Sequence, residues 1–172
     1  MTEVKTKIKK VWNKLQLEAE DKKLRTFLTF RLASELFAIN VDQVTEILEV
    51  PSMTKVPNSP EELIGVFNLR GTVLPIVDAR VKFSVDNVDH TVNTCVLVIE
   101  VVRDNEKVTL GLLVDGVEEV LEIAESEIRT AKNVASRYLA EIFEGTVKFK
   151  DNFINILKLD QVINRTSLVV ED

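Results

Sequence analysis

The 172-residue sequence has one cysteine, one histidine and one tryptophan, and only five glycines and four prolines. A single cysteine excludes a disulfide framework. Cys95 and His90 are too few to form a zinc site. No apolar run approaches the roughly 20 residues that a membrane-spanning helix needs, and the N-terminus carries no apolar signal core. These absences predict a cytoplasmic protein whose stability comes from its hydrophobic core.

Positive charge is scarce outside the N-terminus. The net charge of −6 argues against nucleic-acid binding. The first 25 residues carry eight Lys or Arg and four acidic residues, a net charge of +4, so the remainder carries −10. We therefore treat residues 1–25 as a separate leader, followed by a domain over 26–164 and a tail over 165–172.

The leader has the apolar spacing of an amphipathic helix, with apolar residues at i, i+4, i+7, i+8 and i+11. These residues are Val4, Ile8, Val11, Trp12 and Leu15. An isolated helix of this length is marginal in water, so it needs a surface to lie on. Because the rest of the chain is acidic, we expect the helix to dock on its own body with Trp12 shielded. A partner protein, an anionic membrane and simple disorder are the alternatives.

From Phe27 onward the apolar pattern has a period of two, which indicates strands. Arg70 and Gly71 separate two apolar runs and are predicted to form a hairpin turn, in which glycine can take a positive φ. A second hairpin turn is predicted at Asp151 and Asn152. The run over 95–102 is apolar on both faces, which predicts a central strand.

The strand pattern repeats within the chain. The segment FAINVDQVTEILEV (37–50) aligns with LGLLVDGVEEVLEI (110–123), and six of the fourteen positions are identical. A weaker match aligns 65–77 with 145–157. Many short strands in two such units predict a mainly β protein of two small barrels, related by a pseudo-twofold axis and sharing a core. The seam between the barrels is the natural place for a binding groove.

Catalytic groups are nearly absent from the sequence. The glycines form no phosphate-binding loop, and His90, in a polar stretch, is interpreted as a solvated loop residue. Asp42 and Asp115 hold equivalent places in the two repeats, as the carboxylates of an aspartic protease do. Neither is followed by the Thr/Ser-Gly pair that supports such a dyad, so turn hydrogen bonding is favoured for both. We therefore expect no enzyme activity, no cofactor, no metal and no small-molecule substrate.

Two charged residues stand in apolar surroundings. Glu46 lies in a predicted strand and Arg70 at a hairpin tip. They are either an ordinary surface ion pair or an arginine held by a glutamate at the rim of a groove, which suits a protein interface. Residue chemistry alone leaves both interpretations open.

Three motifs stand in order along the chain: NLRG at 68–71, PIVDAR at 75–80 and VDGV at 114–117. Together with the closing hairpin and a closing helix, they resemble the CheW family, the coupling proteins of bacterial chemotaxis, over about residues 26–164. The resemblance implies two intertwined five-stranded β-barrels with short helices, to which this chain adds the N-terminal amphipathic helix. It also implies a protein without catalytic activity.

The resemblance implies two partners and a site for each. The partners are the cytoplasmic tip of a methyl-accepting chemoreceptor and the regulatory domain of the CheA histidine kinase, in arrays at the inner membrane face. The implied receptor groove consists of Glu46, Arg70, Thr94, Cys95 and Val96. The implied kinase-facing surface consists of Leu28, Val41 and Val44, and we expect Val41 and Val44 to form an exposed apolar patch. When isolated, the protein is expected to be a monomer.

Three classes of function are therefore compared. The first is an adaptor between chemoreceptor and kinase. The second is a CheW-like regulatory domain of a kinase or another signalling scaffold, and the third is an aspartate-based hydrolase. The start at Met1 and the absence of kinase motifs favour the adaptor.

Overall fold

The computed structural model describes residues 2–21, 23–86, 89–130 and 141–164, so the predicted tail lies outside the described residues. Eleven strands account for most of the described chain. They are β1 (Leu24–Leu32), β2 (Glu35–Asn40), β3 (Val44–Glu49), β4 (Leu63–Leu69), β5 (Thr72–Asp78), β6 (Cys95–Arg103), β7 (Glu106–Val114), β8 (Gly116–Ala124), β9 (Arg129–Thr130), β10 (Phe143–Phe149) and β11 (Asn152–Leu157). The helices are α1 (Thr2–Asp21), α2 (Ala79–Lys82) and α3 (Leu159–Asn164), with 3-10 turns at Val41–Gln43 and Glu125–Glu127.

The strands form two sheets, and each sheet mixes strands from both halves of the chain. One sheet has the order β3-β6-β7-β5-β4, and the other has the order β8-β1-β2-β11-β10-β9. Under the repeat, β6, β7, β8, β10 and β11 correspond to β1, β2, β3, β4 and β5. Each sheet therefore takes the first two strands of one repeat and the last three of the other. Equivalent parallel pairs, β2 with β11 and β5 with β7, join the halves. The predicted intertwining is confirmed.

Both sheets are closed by the chain segment that follows their outer strand. After β3, Thr54 forms an antiparallel bridge to Val66 of β4, at the far edge of the same sheet. After β8, β9 forms the corresponding pairs with β10, Thr130 with Gly145 and Arg129 with Thr146. β3 and β8 each lie at one edge of their sheet, and Thr54 and β9 are the segments that follow them. Their contacts with β4 and β10 therefore bring the two sides of each sheet together. We call the sheet β3-β6-β7-β5-β4 barrel 1 and the sheet β8-β1-β2-β11-β10-β9 barrel 2.

A glycine permits each closing contact. A Cβ atom added to Gly65 would stand 2.9 Å from the carbonyl oxygen of Thr54, and one added to Gly145 would stand 2.2 Å from that of Arg129. Both glycines also sit at a register shift in their hairpin. The two positions are 80 residues apart and correspond in the repeat. Their lack of a side chain lets the closing segment approach the hairpin backbone.

The central strands are apolar on both faces because each face lies in a different core. On β1, Phe27 points into barrel 2, whereas Leu28 and Phe30 belong to a larger core between the barrels. On β6, Val96 points into barrel 1, whereas Leu97 belongs to the shared core. The prediction that 95–102 is a central strand is confirmed, since β6 lies between β3 and β7.

One hairpin lies where it was predicted and one is shifted. Arg70 and Gly71 connect β4 to β5, as predicted. The turn between β10 and β11 consists of Lys150 and Asp151, one residue earlier than predicted. Lys150 takes the left-handed conformation, φ 52°, and Asn152 is paired with Phe149. The prediction was wrong because Asp-Asn favours a turn only by composition, whereas the register follows the apolar alternation of the strands.

The leader is a helix, but it does not dock on the body. The side chains of its apolar stripe, the residues named above, are 54–63% exposed. The self-docking prediction, with Trp12 shielded, is therefore wrong. It rested on attraction between a basic helix and an acidic domain, and attraction between exposed charges is largely screened in water.

Over the part of the chain that the structure describes, no helix is long and apolar enough to cross a membrane.

Replacing Gly145 with alanine is predicted to destabilise the protein. The new methyl group would overlap the carbonyl oxygen of Arg129, so β9 must move away from β10. We expect a loss of about 1–3 kcal/mol in the free energy of unfolding, measured by urea denaturation. Gly116→Ala is the matched control, because its nearest neighbour would be 3.6 Å away. Equal losses for both variants would contradict this explanation of Gly145.

Candidate functional site

Arg70 owes its position to a tight hairpin turn. Arg70 and Gly71 both have positive φ, 49° and 87°, as the central residues of a type I′ turn require. The side-chain oxygen of Asn68 accepts a hydrogen bond of 2.8 Å from the backbone N–H of Gly71. The turn therefore fixes the backbone of Arg70 at the tip of the hairpin.

Glu46 meets Arg70 from the other edge of barrel 1. The Nη1 and Nη2 atoms of Arg70 donate to the two carboxylate oxygens of Glu46, at 3.3 and 2.5 Å. The pairing is possible because Glu46 shares a strand face with Leu48, which packs into the barrel 1 core. The hydrogen bond to Glu46 raises the pKa of the Arg70 guanidinium. The Arg70 side chain stays 72% exposed and that of Glu46 is 29% exposed, so a fixed positive charge faces solvent.

Below this ion pair lies a shallow depression of about 390 Å³ at the end of barrel 1. Its lining includes Thr45, Thr72, Glu100 and Thr109, from four different strands. The rim of this depression therefore presents hydroxyl and carboxylate groups beside the Arg70 guanidinium, where a partner could contact them. No equivalent ion pair is found in the described part of barrel 2, where Lys150 lies over the ring of Phe149.

The other predicted groove residues lie together at the start of β6 but are less accessible. Thr94 and Val96 are buried, at 6% and 0% exposure, whereas Cys95 is half-buried. The burial raises the pKa of the Cys95 thiol. β6 adjoins β3, with Val96 opposite Leu48 and Cys95 opposite Glu49. The structure therefore places these residues at the start of the strand next to Glu46, and Cys95, which packs against the shared core, is the least buried of the three.

The predicted kinase-facing residues do not form an exposed patch. Leu28 is only 4% exposed and belongs to the shared core. Val44 is half-buried and packs against that core, and Val41 is half-buried on the 3-10 turn between β2 and β3. The expectation of an exposed aliphatic cluster is wrong, because Leu28 and Val44 contribute to the shared core and Val41 is only partly exposed. The kinase contact itself stays a prediction.

A buried charge network, which the sequence analysis missed, joins the two barrels. Arg80 is 3% exposed and donates from Nε and Nη2 to Asp78, at 3.1 and 3.2 Å. Its Nη1 donates to Asp115 at 3.1 Å, and Asp115 also accepts from the backbone N–H of Ala33 at 2.6 Å. The hydrogen bonds to Asp78 raise the pKa of Arg80. The signal available was the presence of Asp78 and Arg80 in an otherwise apolar stretch, which fits a buried pair.

The same network decides between the two interpretations of Asp115. Its carboxylate binds Arg80 and a turn N–H, while Asp42 lies exposed on the 3-10 turn in barrel 1. The turn hydrogen bonding predicted for Asp115 is confirmed. His90 is exposed, and its Nε2 lies 3.4 Å from Nη2 of Arg80. Among the residues that the structure describes, no cluster of three or more His, Cys, Asp or Glu could hold a metal ion.

The profile of the CheW-like domain matches residues 26–167, more than four fifths of the chain. The chain belongs to the CheW-like domain family. It is 31% identical over 146 residues to a chemotaxis protein CheW of Klebsiella aerogenes, covering 85% of this chain and 86% of that protein. It is 30% identical over 151 residues to a CheW of Bacillus subtilis, covering 88% and 94%.

A solved CheW structure has the same fold. The crystal structure of the scaffolding protein TtCheW from Thermoanaerobacter tengcongensis superposes with a TM-score of 0.70 at 31% identity, covering 78% of this chain and 84% of that one. The resemblance read from the NLRG, PIVDAR and VDGV motifs is thereby confirmed. CheW-like domain proteins are scaffolds without catalytic activity, so family membership supports the expectation that this chain is no enzyme.

Removing the buried arginine of this CheW-like domain is predicted to cost far more stability than removing an exposed one. Arg80→Met leaves Asp78 and Asp115 buried without their cation, so we expect a loss of about 3–5 kcal/mol in the free energy of unfolding. Arg31→Met is the control, because its pair with Glu118 is 45% and 39% exposed and should contribute less than about 1 kcal/mol. Urea denaturation at pH 7 measures both. Similar midpoints for Arg80→Met and the wild type would refute the structural role.

Proposed function

We propose that this chain is a chemotaxis adaptor that couples the cytoplasmic tips of chemoreceptors to the CheA histidine kinase in receptor arrays. Its place would be the cytoplasm, at the inner face of the membrane. Family membership supports the adaptor role, and the observation that supports this particular site is the fixed, exposed Arg70 at the rim of barrel 1. The proposal needs no cofactor and no reaction.

Arg70 suits protein recognition because Glu46 orients its guanidinium but engages only some of the N–H donors. A guanidinium has five N–H donors, and two carboxylate oxygens of Glu46 engage only part of them. Holding the side chain in one position lowers the entropy lost when a partner binds. We therefore assign receptor contact to Glu46, Arg70 and the half-buried Cys95. Thr94 and Val96 support the same strand from within the core.

Charge reversal at Arg70 is predicted to weaken receptor binding without unfolding the domain. A titration of Arg70→Glu against a chemoreceptor tip fragment should show at least about tenfold weaker binding, whereas binding to the CheA regulatory domain and the melting temperature should stay close to wild type. Lys150→Glu is the matched control, because it makes the same charge change at the corresponding hairpin of barrel 2.

A charge swap separates a contact role from a structural one. Glu46→Arg combined with Arg70→Glu restores an ion pair between β3 and the hairpin but moves the cation. If Arg70 contacts the receptor, the swapped protein stays folded and still binds poorly. Full recovery of receptor binding in the swapped protein would show that the pair acts only by holding the barrel end.

The kinase contact is assigned to the surface around the 3-10 turn over 41–43, where Val41 is half-buried. Val41→Asp is predicted to weaken binding to the CheA regulatory domain at least about tenfold, because an unpaired charge would be desolvated in the contact. Val92→Asp, at a fully exposed loop position, is the control. Wild-type kinase binding by a folded Val41→Asp protein would place the kinase contact elsewhere.

A further inference from the structure

The apolar stripe of α1 is an uncovered surface on a protein whose domain already has complete cores. Its five side chains are 54–63% exposed, and four of them line one apolar groove on the helix together with Lys7. An apolar stripe on a helix is normally covered by another surface. The described part of the chain does not cover this one.

The lysines of α1 are arranged around the stripe. At about 100° per residue, the apolar residues fall within an arc of about 100°. Lys5 lies just beyond Trp12 at one margin of that arc, and Lys7 and Lys14 lie beyond Val11 at the other. Between residues 2 and 15 the sequence has five lysines and one glutamate, a net charge of +4, whereas residues 16–21 add three acidic residues and bring the whole of α1 to +1. Over residues 4–15 the stripe is thus bordered by lysines on both sides.

A second copy of α1 is a poor cover for this stripe. The seam positions Val4, Ile8, Val11 and Leu15 have the spacing of a coiled coil but extend over only two heptads, fewer than the three or four that such a structure needs. A parallel pair of copies would also bring together two lysine-rich segments, residues 2–15, which carry +4 each. An apolar stripe flanked by lysines instead matches a surface with negative charge on the outside and an apolar layer below that charge.

We propose that α1 binds the surface of an anionic lipid bilayer, with the helix lying in the plane of the interface. Its apolar side chains enter the boundary between headgroups and acyl chains, with Trp12 at headgroup level. Lys5, Lys7 and Lys14 reach outward along the margins to phospholipid phosphates. This site is separate from the Arg70 rim and does not depend on the adaptor function.

The acidic domain gives this binding a defined geometry. The domain and tail carry −10, so an anionic surface attracts α1 and repels the barrels. Only two residues separate α1 from β1, so the domain stays close to the membrane when α1 is bound. Salt screens the attraction between the lysines of α1 and the lipid phosphates, and binding therefore weakens as ionic strength rises.

The full chain is tested by co-sedimentation with vesicles of 30% phosphatidylglycerol in phosphatidylcholine, and with pure phosphatidylcholine vesicles. We expect at least about tenfold tighter binding to the anionic vesicles, falling with added salt. Trp12 is the only tryptophan, so its fluorescence should shift to the blue when those vesicles are added. Absent binding, or equal binding to both vesicles, overturns the proposal.

Two variants test the two parts of the site. Lys5→Gln, Lys7→Gln and Lys14→Gln together should weaken anionic binding at least about tenfold, whereas Lys55→Gln, Lys107→Gln and Lys148→Gln, on the domain, should not. Ile8→Ser with Leu15→Ser should abolish the Trp12 shift. Equal binding by the two lysine variants, or a blue shift that appears on raising protein concentration without vesicles, overturns the proposal in favour of non-specific attraction or a second copy.

Discussion

Neither repeat of this chain can close a barrel with its own strands. The sheet of barrel 1 has β6 and β7 of the second repeat between β3 and β5 of the first, and the sheet of barrel 2 has the reverse arrangement. The parallel pairs between β2 and β11 and between β5 and β7 are the links that make this exchange. All other features, the shared core, the closing segments and the exposed rim, follow once these links are in place.

The exchange also explains how a charge pair comes to lie at a barrel end. Glu46 and Arg70 belong to the same repeat but to opposite edges of their sheet, with two strands of the other repeat between those edges. The bridge between Thr54 and Val66 of β4 helps to bring these two edges together. Arg80 and Asp115 form the corresponding link between repeats in the interior, where burial makes the pairing far more consequential for stability.

Much of the fold could be predicted from the sequence, because the repeat and the hairpin at Arg70 and Gly71 are local signals. The strand partners could not be predicted, since both repeats carry the same apolar alternation. That pattern fits pairing within a repeat as well as pairing between the repeats. The unknown strand partners also limited the prediction of the site. Glu46 and Arg70 were identified as a pair, but the burial of Leu28, Thr94 and Val96 depends on which sheet flanks β1 and β6. The docking of α1 was wrongly predicted because net charge does not supply a packing surface.

The exchange of strands has a consequence for how the protein is made. When the first repeat leaves the ribosome, β2 and β5 present open strand edges whose partners, β11 and β7, have not yet been synthesised. Contacts of such long sequence separation form slowly, and unpaired apolar strands are prone to aggregate. Barrel 1 therefore cannot assemble before β7 has been made, and barrel 2 cannot assemble before β11 has been made. The two repeats are thus a single folding unit, because each repeat supplies strands to the barrel of the other.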